Sequence, residues 1–333
     1  MKYIGFALAA LSGMQFAAGQ QAPKLNAYVA LPGAGAGQIT LERGDGNGSF
    51  FYMQKGTDQL MTAKASACKM FYIQTPADMA NALRDYYGGD YAAARKSFAA
   101  IKKKYAAFAG LPGSPCTVSA LHELTCAVRM LDFAAAKELA DSRPGVSVLT
   151  GADAARVAAA KVAGMINDQP DSFPGIKEAV EAAMKAHGRN LDSEANGWLR
   201  YALARGAAAM VPAEQLQGTI SEDKVKAASV AVDFYCQAVM SMHGTQKAVP
   251  ADALNRALAL LWAMPGVKEY AAKVPKPVDK VGWNTAPADF RDAAAMAHYI
   301  KTMYPAPADA PNALADQLDA YFYNAKQGTS KAK

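Results

Sequence analysis

Histidine and cysteine are scarce in this chain, with four of each among 333 residues. Neither a CxxC nor an HxxxH pair occurs, so a zinc site of three or four protein ligands has no frame in the sequence. There is no GxSxG elbow and no HExxH. The glycine-rich run Gly33-Ala34-Gly35-Ala36-Gly37 lacks the Lys-Ser or Lys-Thr of a phosphate-binding loop. Motif-bearing hydrolases, zinc proteases and P-loop nucleotide binders are therefore excluded. No long apolar run follows the first twenty residues, so no transmembrane segment is expected in the mature chain. Concentrated basic patches are also missing. The net charge is +6, but the lysines are scattered apart from Lys102-Lys103-Lys104 and the tail pair Lys331 and Lys333. Nucleic-acid binding asks for a patch with arginine or aromatic readers, and no nucleic-acid partner is expected.

What is present is apolar and small. Hydrophobic residues make up 52% and charged residues 19% of the chain, which suits a packed core rather than a disordered chain. Alanine dominates the apolar class, and small side chains let helices approach closely. The first residues form a pattern of their own. Lys2 supplies a positive start, Ile4–Ala18 is apolar, and Ala17 and Gly19 satisfy the small-residue rule for cleavage. Residues 1–19 are read as a bacterial-type signal peptide, and the mature chain is expected in the periplasm or at the cell exterior. No cysteine stands near the cleavage point to carry a lipid anchor.

Export makes disulfides an option for Cys68, Cys116, Cys126 and Cys236. Cys116 and Cys126 share a predicted helix, and ten residues of helix separate them by about 15 Å, beyond the roughly 7 Å Cα limit for a bridge. Cys68 would then pair with Cys116 or Cys126. Four buried thiols are the other alternative.

Residues 20–37 read as a flexible lead-in. Short runs rich in β-branched and aromatic residues follow at 38–43, 49–54, 59–63 and 69–74, separated by glycine-rich turns. They predict a small antiparallel β-module over 38–74, packed on the helices after it. Thr75-Pro76-Ala77-Asp78 places an N-cap threonine before the first helix. Gly88-Gly89 ends that helix, and Asp90 caps a second with Tyr91, Ala94, Phe98, Ile101 and Tyr105 on its apolar face. Thr117–Met130 is a further helix. Beyond it, Thr150-Gly151-Ala152-Asp153 opens a helix to about residue 167. Helices are expected at 174–187, 192–210, 221–242, 251–264, 266–273, 287–303 and 312–326, with prolines between them. Pro275–Thr285 is expected to be a linker, and 327–333 a disordered tail.

The pair around Gly89, Asp90, Tyr91, Ala94 and Phe98 resembles the tetratricopeptide repeat, whose second helix opens Gly-Asp-Tyr with alanine three residues on and an aromatic four further. Leu131, Asp132, Phe133 and Ala136 form a second, degenerate copy. Tyr91 and Phe133 stand 42 positions apart against the family's roughly 34, the excess lying in Gly110–Pro115. The resemblance covers about 76–142 and implies stacked α-hairpins. The expected fold is mainly α: a helical repeat region over 75–274, C-terminal helices over 275–326, and the small N-terminal β-module.

His122 and Cys126 lie one helical turn apart, a spacing that suits two metal ligands, but too few partners accompany them for a zinc site. His187, His243 and His298 read as surface or capping residues. Asp45-Gly46-Asn47-Gly48-Ser49 lacks the glycine and glutamate of an EF-hand loop. Arg43-Gly44-Asp45 is an RGD tripeptide, in a place where a hairpin turn calls for Gly and Asp anyway. Tyr201, Phe234, Tyr235, Trp262, Tyr299, Tyr304 and Tyr321-Phe322-Tyr323 are core residues or the lining of a groove. No cofactor is implied. The expected function is non-catalytic: an interaction or scaffold protein of the cell envelope that holds an envelope or secreted protein in a helical groove. A carbohydrate- or peptide-binding module is the alternative, and an enzyme with a site built from scattered residues comes third.

Overall fold

A computed structural model describes residues 23–33, 35–53, 59–142, 149, 151–166, 171–306 and 312–322. The proposed signal peptide, Thr150, and the 327–333 tail lie outside the described residues. Within them the chain is mainly α-helical, with a small antiparallel sheet at its N-terminal side.

Five strands make the sheet: β1 (Leu25–Ala30), β2 (Ala36–Gly44), β3 (Ser49–Met53), β4 (Leu60–Lys64) and β5 (Met70–Ile73). Their order is β4-β3-β2-β1-β5, all antiparallel. The lead-in reading of 20–37 is corrected here, because β1 lies inside it and pairs with both β2 and β5. Leu-Asn-Ala-Tyr-Val-Ala alternates as a half-buried strand should, with Leu25, Ala27 and Val29 inward. Its glycine-rich neighbourhood hides that alternation. Leu41, Phe50, Tyr52 and Ile73 complete the inner face.

Helices α1 (Ala77–Gly88), α2 (Tyr91–Lys104) and α3 (Pro115–Arg129) follow, and Met79, Ala82, Tyr86, Ala94, Phe98 and Ile101 close the sheet's core. Helix α1 starts one residue later than expected, with Pro76 rather than Thr75 at the cap and no side-chain cap bond. Helix α3 starts two residues earlier than expected. Ser114 accepts from the Thr117 N–H, and Pro115 fills the first turn, where its missing donor costs nothing. The sheet is locked onto this region at Gly110. Its φ is +80°, and a Cβ there would stand 2.1 Å from the Gly46 carbonyl oxygen of the β2–β3 turn. Only glycine fits.

The remaining helices are α4 (Phe133–Asp141), α5 (Gly151–Ala163), α6 (Ser172–His187), α7 (Ser193–Ala209), α8 (Ala213–Gln217), α9 (Glu222–Met242), α10 (Ala248–Ala263), α11 (Val267–Ala271), α12 (Lys280–Thr285), α13 (Ala288–Met303) and α14 (Ala313–Asp319). Most pack on sequence neighbours: α3 on α4, α4 on α5, α5 on α6 and α7, α7 on α9, α9 on α10, α10 on α13, and α13 on α14. They share one core, which includes Trp198, Tyr201, Tyr235, Leu258 and Phe290. Gly197 lets α9 close on α7, since a Cβ there would stand 2.3 Å from Met242 Cγ. The expected linker Pro275–Thr285 is corrected. It contains α12, capped by Asp279 on the Gly282 N–H, and Val278 is buried with its N–H on the Tyr321 carbonyl. Short α8 was not expected, and α14 ends earlier than the pattern suggested.

Helix α3 belongs to both cores. Cys116 and Cys126 face the sheet side, while Leu124, Ala127 and Val128 face the long helical body. At its last residue, Arg129 gives Nε and Nη2 to the two carboxylate oxygens of Glu194 on α7, at 2.8 and 2.9 Å. The same guanidinium lies 4.7 Å from the Tyr86 ring centroid and 5.2 Å from that of Tyr91. Burial works against its charge, and Glu194 more than offsets this, holding the guanidinium firmly protonated. Both side chains are nearly buried, so removing one partner strands the other charge. We expect Glu194→Ala to cost about 3–5 kcal/mol in chemical denaturation. Replacing the pair together, Arg129→Met with Glu194→Leu, should cost clearly less than that single change.

Candidate functional site: a cleft over helix α10

A cleft of about 660 Å³ lies between α9, α10 and α13. Leu254 and Leu261 of α10 form the floor. Helix α9 supplies one wall with Val232, Asp233, Cys236, Val239, Met240 and His243, and α13 the other with Asp292, Ala295, Met296 and Tyr299. Helices α9 and α13 both pack on α10, so their facing sides stand apart above it. The lining is mostly aliphatic and thioether. Met240 is 78% exposed at the edge, where its thioether is open to a partner.

The ionisable groups of the cleft are Asp233, Cys236, His243, Asp292 and Tyr299. Cys236 on α9 and His243, just past its end, are seven residues apart, about 10 Å along the helix axis, so the imidazole is not placed to activate the thiol. Burial pushes the Cys236 thiol up, and the Asp233 and Asp292 carboxylates push it further. It is therefore a protonated, weakly nucleophilic group at neutral pH. Asp292 is also held above the usual carboxylate range, by burial and then by Asp289. The arrangement can hold an apolar group and set one or two carboxylates beside it.

The residues expected to carry a repeat signature lie elsewhere, and the turns before α2 and α4 match in local geometry. Gly89 takes φ +87° and Leu131 φ +62°, both left-handed. Asp90 then accepts from the Ala93 N–H at 3.0 Å, and Asp132 from the Ala135 N–H at 3.2 Å. Ala94 and Ala136 are fully buried, as is Phe98. Asp132 also binds Arg95 at 2.7 Å, and that arginine holds its carboxyl below the usual range. These residues shape hairpins and do not line the cleft.

The structure contains no disulfide among Cys68, Cys116, Cys126 and Cys236. Cys68 gives its S–H to the Lys64 carbonyl oxygen. Cys126 is buried, its thiol pushed up to about 12 by burial. Its neighbour on the helix, His122, stacks on Phe98 at 4.8 Å and meets the Tyr86 ring edge-on at 4.7 Å. In the RGD tripeptide, Arg43 lies over Phe51 at 4.5 Å, and Asp45 accepts from the Asn47 and Ser49 N–H groups. Against a desolvation penalty, those bonds lower the Asp45 pKa. Both charged members thus serve the β2–β3 hairpin. Of the lysine run, Lys102 pairs with Glu123 and Lys104 with Asp78. His298 binds Asp319 at 2.8 Å. Of the flagged aromatics, Tyr201, Tyr235 and Tyr321 are core residues, and Tyr299 alone lines the cleft; Tyr323 lies outside the described residues.

Comparison with known proteins finds no matching family model and no similar curated protein or solved structure. Among the described residues no helix is long and apolar enough to cross a membrane, and no group of three metal-ligating side chains converges.

His122 provides a pH test of this region. Burial, then the charges of Arg156 and Arg129, lower its pKa from 6.5 to about 4. The unfolded chain binds a proton that the native imidazole refuses between those values, so stability is complete above pH 6.5 and is lost as pH falls toward 4. The loss should reach roughly 3 kcal/mol, and His122→Gln should flatten that limb of the stability profile. Denaturant midpoints taken across pH 4–7 would check it.

Proposed function

We propose that this chain is an exported, non-catalytic interaction protein that holds an apolar segment of an envelope or secreted protein in the α9–α10–α13 cleft. The observation that carries this reading is the cleft itself: a leucine floor, mostly aliphatic walls with a methionine on each side (Met240 and Met296), and a Cys236 and His243 too far apart to act together. Methionine-lined surfaces adapt to different apolar partners because the thioether side chain is flexible and polarisable. A sugar site would want several aromatic platforms and converging hydrogen-bonding groups, whereas Tyr299 is the only aromatic in this lining.

The tetratricopeptide-like organisation belongs to the same proposal. Two consecutive helix pairs share a left-handed residue, an aspartate cap and a buried alanine at matching places, and later helices pack on near neighbours in the same manner. Stacked hairpins of this kind cover each other's apolar sides and leave a groove for a partner. Fold alone is a weak warrant for function, so the weight rests on the cleft. Export follows from the leader pattern at 1–19, and a mature N-terminus at Gln20 would support it.

Affinity capture with the mature chain, compared between wild type and Met240→Asp, tests the proposal. Met240 is exposed, so the substitution should leave stability within about 0.5 kcal/mol. We expect a stoichiometric partner with the wild type and its loss with Met240→Asp. Equal recovery by both proteins would contradict the assignment to this cleft.

A further inference from the structure

A second cleft, separate from the first, gathers residues distant in sequence. It measures about 330 Å³ and is lined by Leu131, Asp132, Phe133, Ala134, Ile166, Tyr201, Arg205, Asp252 and Arg256. Two i,i+4 pairs on different helices meet there. On α7, Arg205 donates to the Tyr201 hydroxyl at 3.2 Å; on α10, Arg256 Nε donates to Asp252 at 2.7 Å. Tyr201 in turn donates its O–H to Asp252. The α4 start faces the same space. Phe133 stacks on Tyr201 at 5.5 Å, bringing the first turn of α4 against the cluster.

Both carboxylates in this cleft carry donors, Asp252 on its Oδ2. Asp132 takes Arg95 and the Ala135 N–H, and Asp252 takes Tyr201 and Arg256. Further donors come from α10 and the start of α4. Among the described residues, Arg256 uses only Nε, leaving the donors on Nη1 and Nη2, and the Phe133 and Ala134 N–H groups have no protein acceptor. Behind Tyr201, the fully buried Tyr235 hydroxyl has no hydrogen-bond partner, and it lies within electrostatic reach of Arg256, Arg205 and Asp252. A site with engaged carboxylates, guanidinium forks and helix-start amides suits a compact oxyanion.

We propose that this cleft binds a small molecule through a phosphate or carboxylate group, held by Arg205, Arg256 and the α4 N-terminus. The guanidiniums supply the charge and the planar fork, and the amides of the first turn fix orientation. The site shares no lining residue with the α9–α10–α13 cleft, so it stands or falls independently of the partner reading.

Isothermal titration of the mature chain with inorganic phosphate, and separately with succinate, tests it. We expect one saturable site for at least one probe, and the stronger probe identifies which group is preferred. Arg256→Gln and Arg205→Gln should each weaken binding about tenfold or more, with Arg256→Lys intermediate because it keeps charge and loses the fork. Arg189→Gln, a surface change outside the cleft, should leave affinity unchanged. Thermal unfolding of each variant identifies any that fails to fold, and the remaining substitutions then carry the comparison. The proposal is overturned by no saturable uptake of either probe up to about 10 mM. It is equally overturned by folded Arg205 and Arg256 variants that bind as the wild type does.

Discussion

One guanidinium joins the two halves of this molecule. Arg129 ends α3 with its plane on Tyr86 and Tyr91 of the first hairpin and its fork on Glu194 of the long helical body. The helix that carries it is buried on both sides, by the sheet-facing core and by the core that runs on to Tyr321. Arg156 adds to the seam by binding Asp192, the residue that caps α7 through the Ala195 N–H. A pair this dry is costly to break and specific in geometry. It sets where α7 starts relative to α3, and through α7 it sets α9 and then α10.

That positioning produces both clefts. Helix α10 packs on α9 and α13, which leaves an apolar trough along its exposed side. Its other side brings Asp252 and Arg256 to the start of α4. One helix therefore forms the floor of an apolar site and the wall of a polar one. The division follows from residue type: Leu254 and Leu261 look one way, Asp252 and Arg256 another, as a 3.6-residue period requires.

Much of the helical body could be read from sequence because local signals decide it. The pattern between prolines placed α9 within a residue of its observed start, and Asp90 caps the helix it was expected to cap. Strand β1 was missed because its identity comes from pairing with β2 and β5, contacts that no local window contains. Helix α12 was hidden by Pro275, Pro277 and Gly282, which read as loop chemistry until Val278 finds its pocket. The clefts were legible only in fragments. Tyr201 and Tyr299 stood out as aromatics, and His243 and Cys236 as rare residue types. The Tyr201/Arg205 and Asp252/Arg256 pairs had helical spacing as their only signal, and nothing in the sequence says that they meet.

Native-state hydrogen exchange resolved by peptide tests most directly whether α3 and Arg129 bind the two cores into one unit. The account predicts that the slowest amides of α1–α2 and those of α7 open with the same free energy and the same denaturant dependence. Slow amides in α7 alone, with the sheet and α1–α2 exchanging through a separate and much cheaper opening, would contradict it.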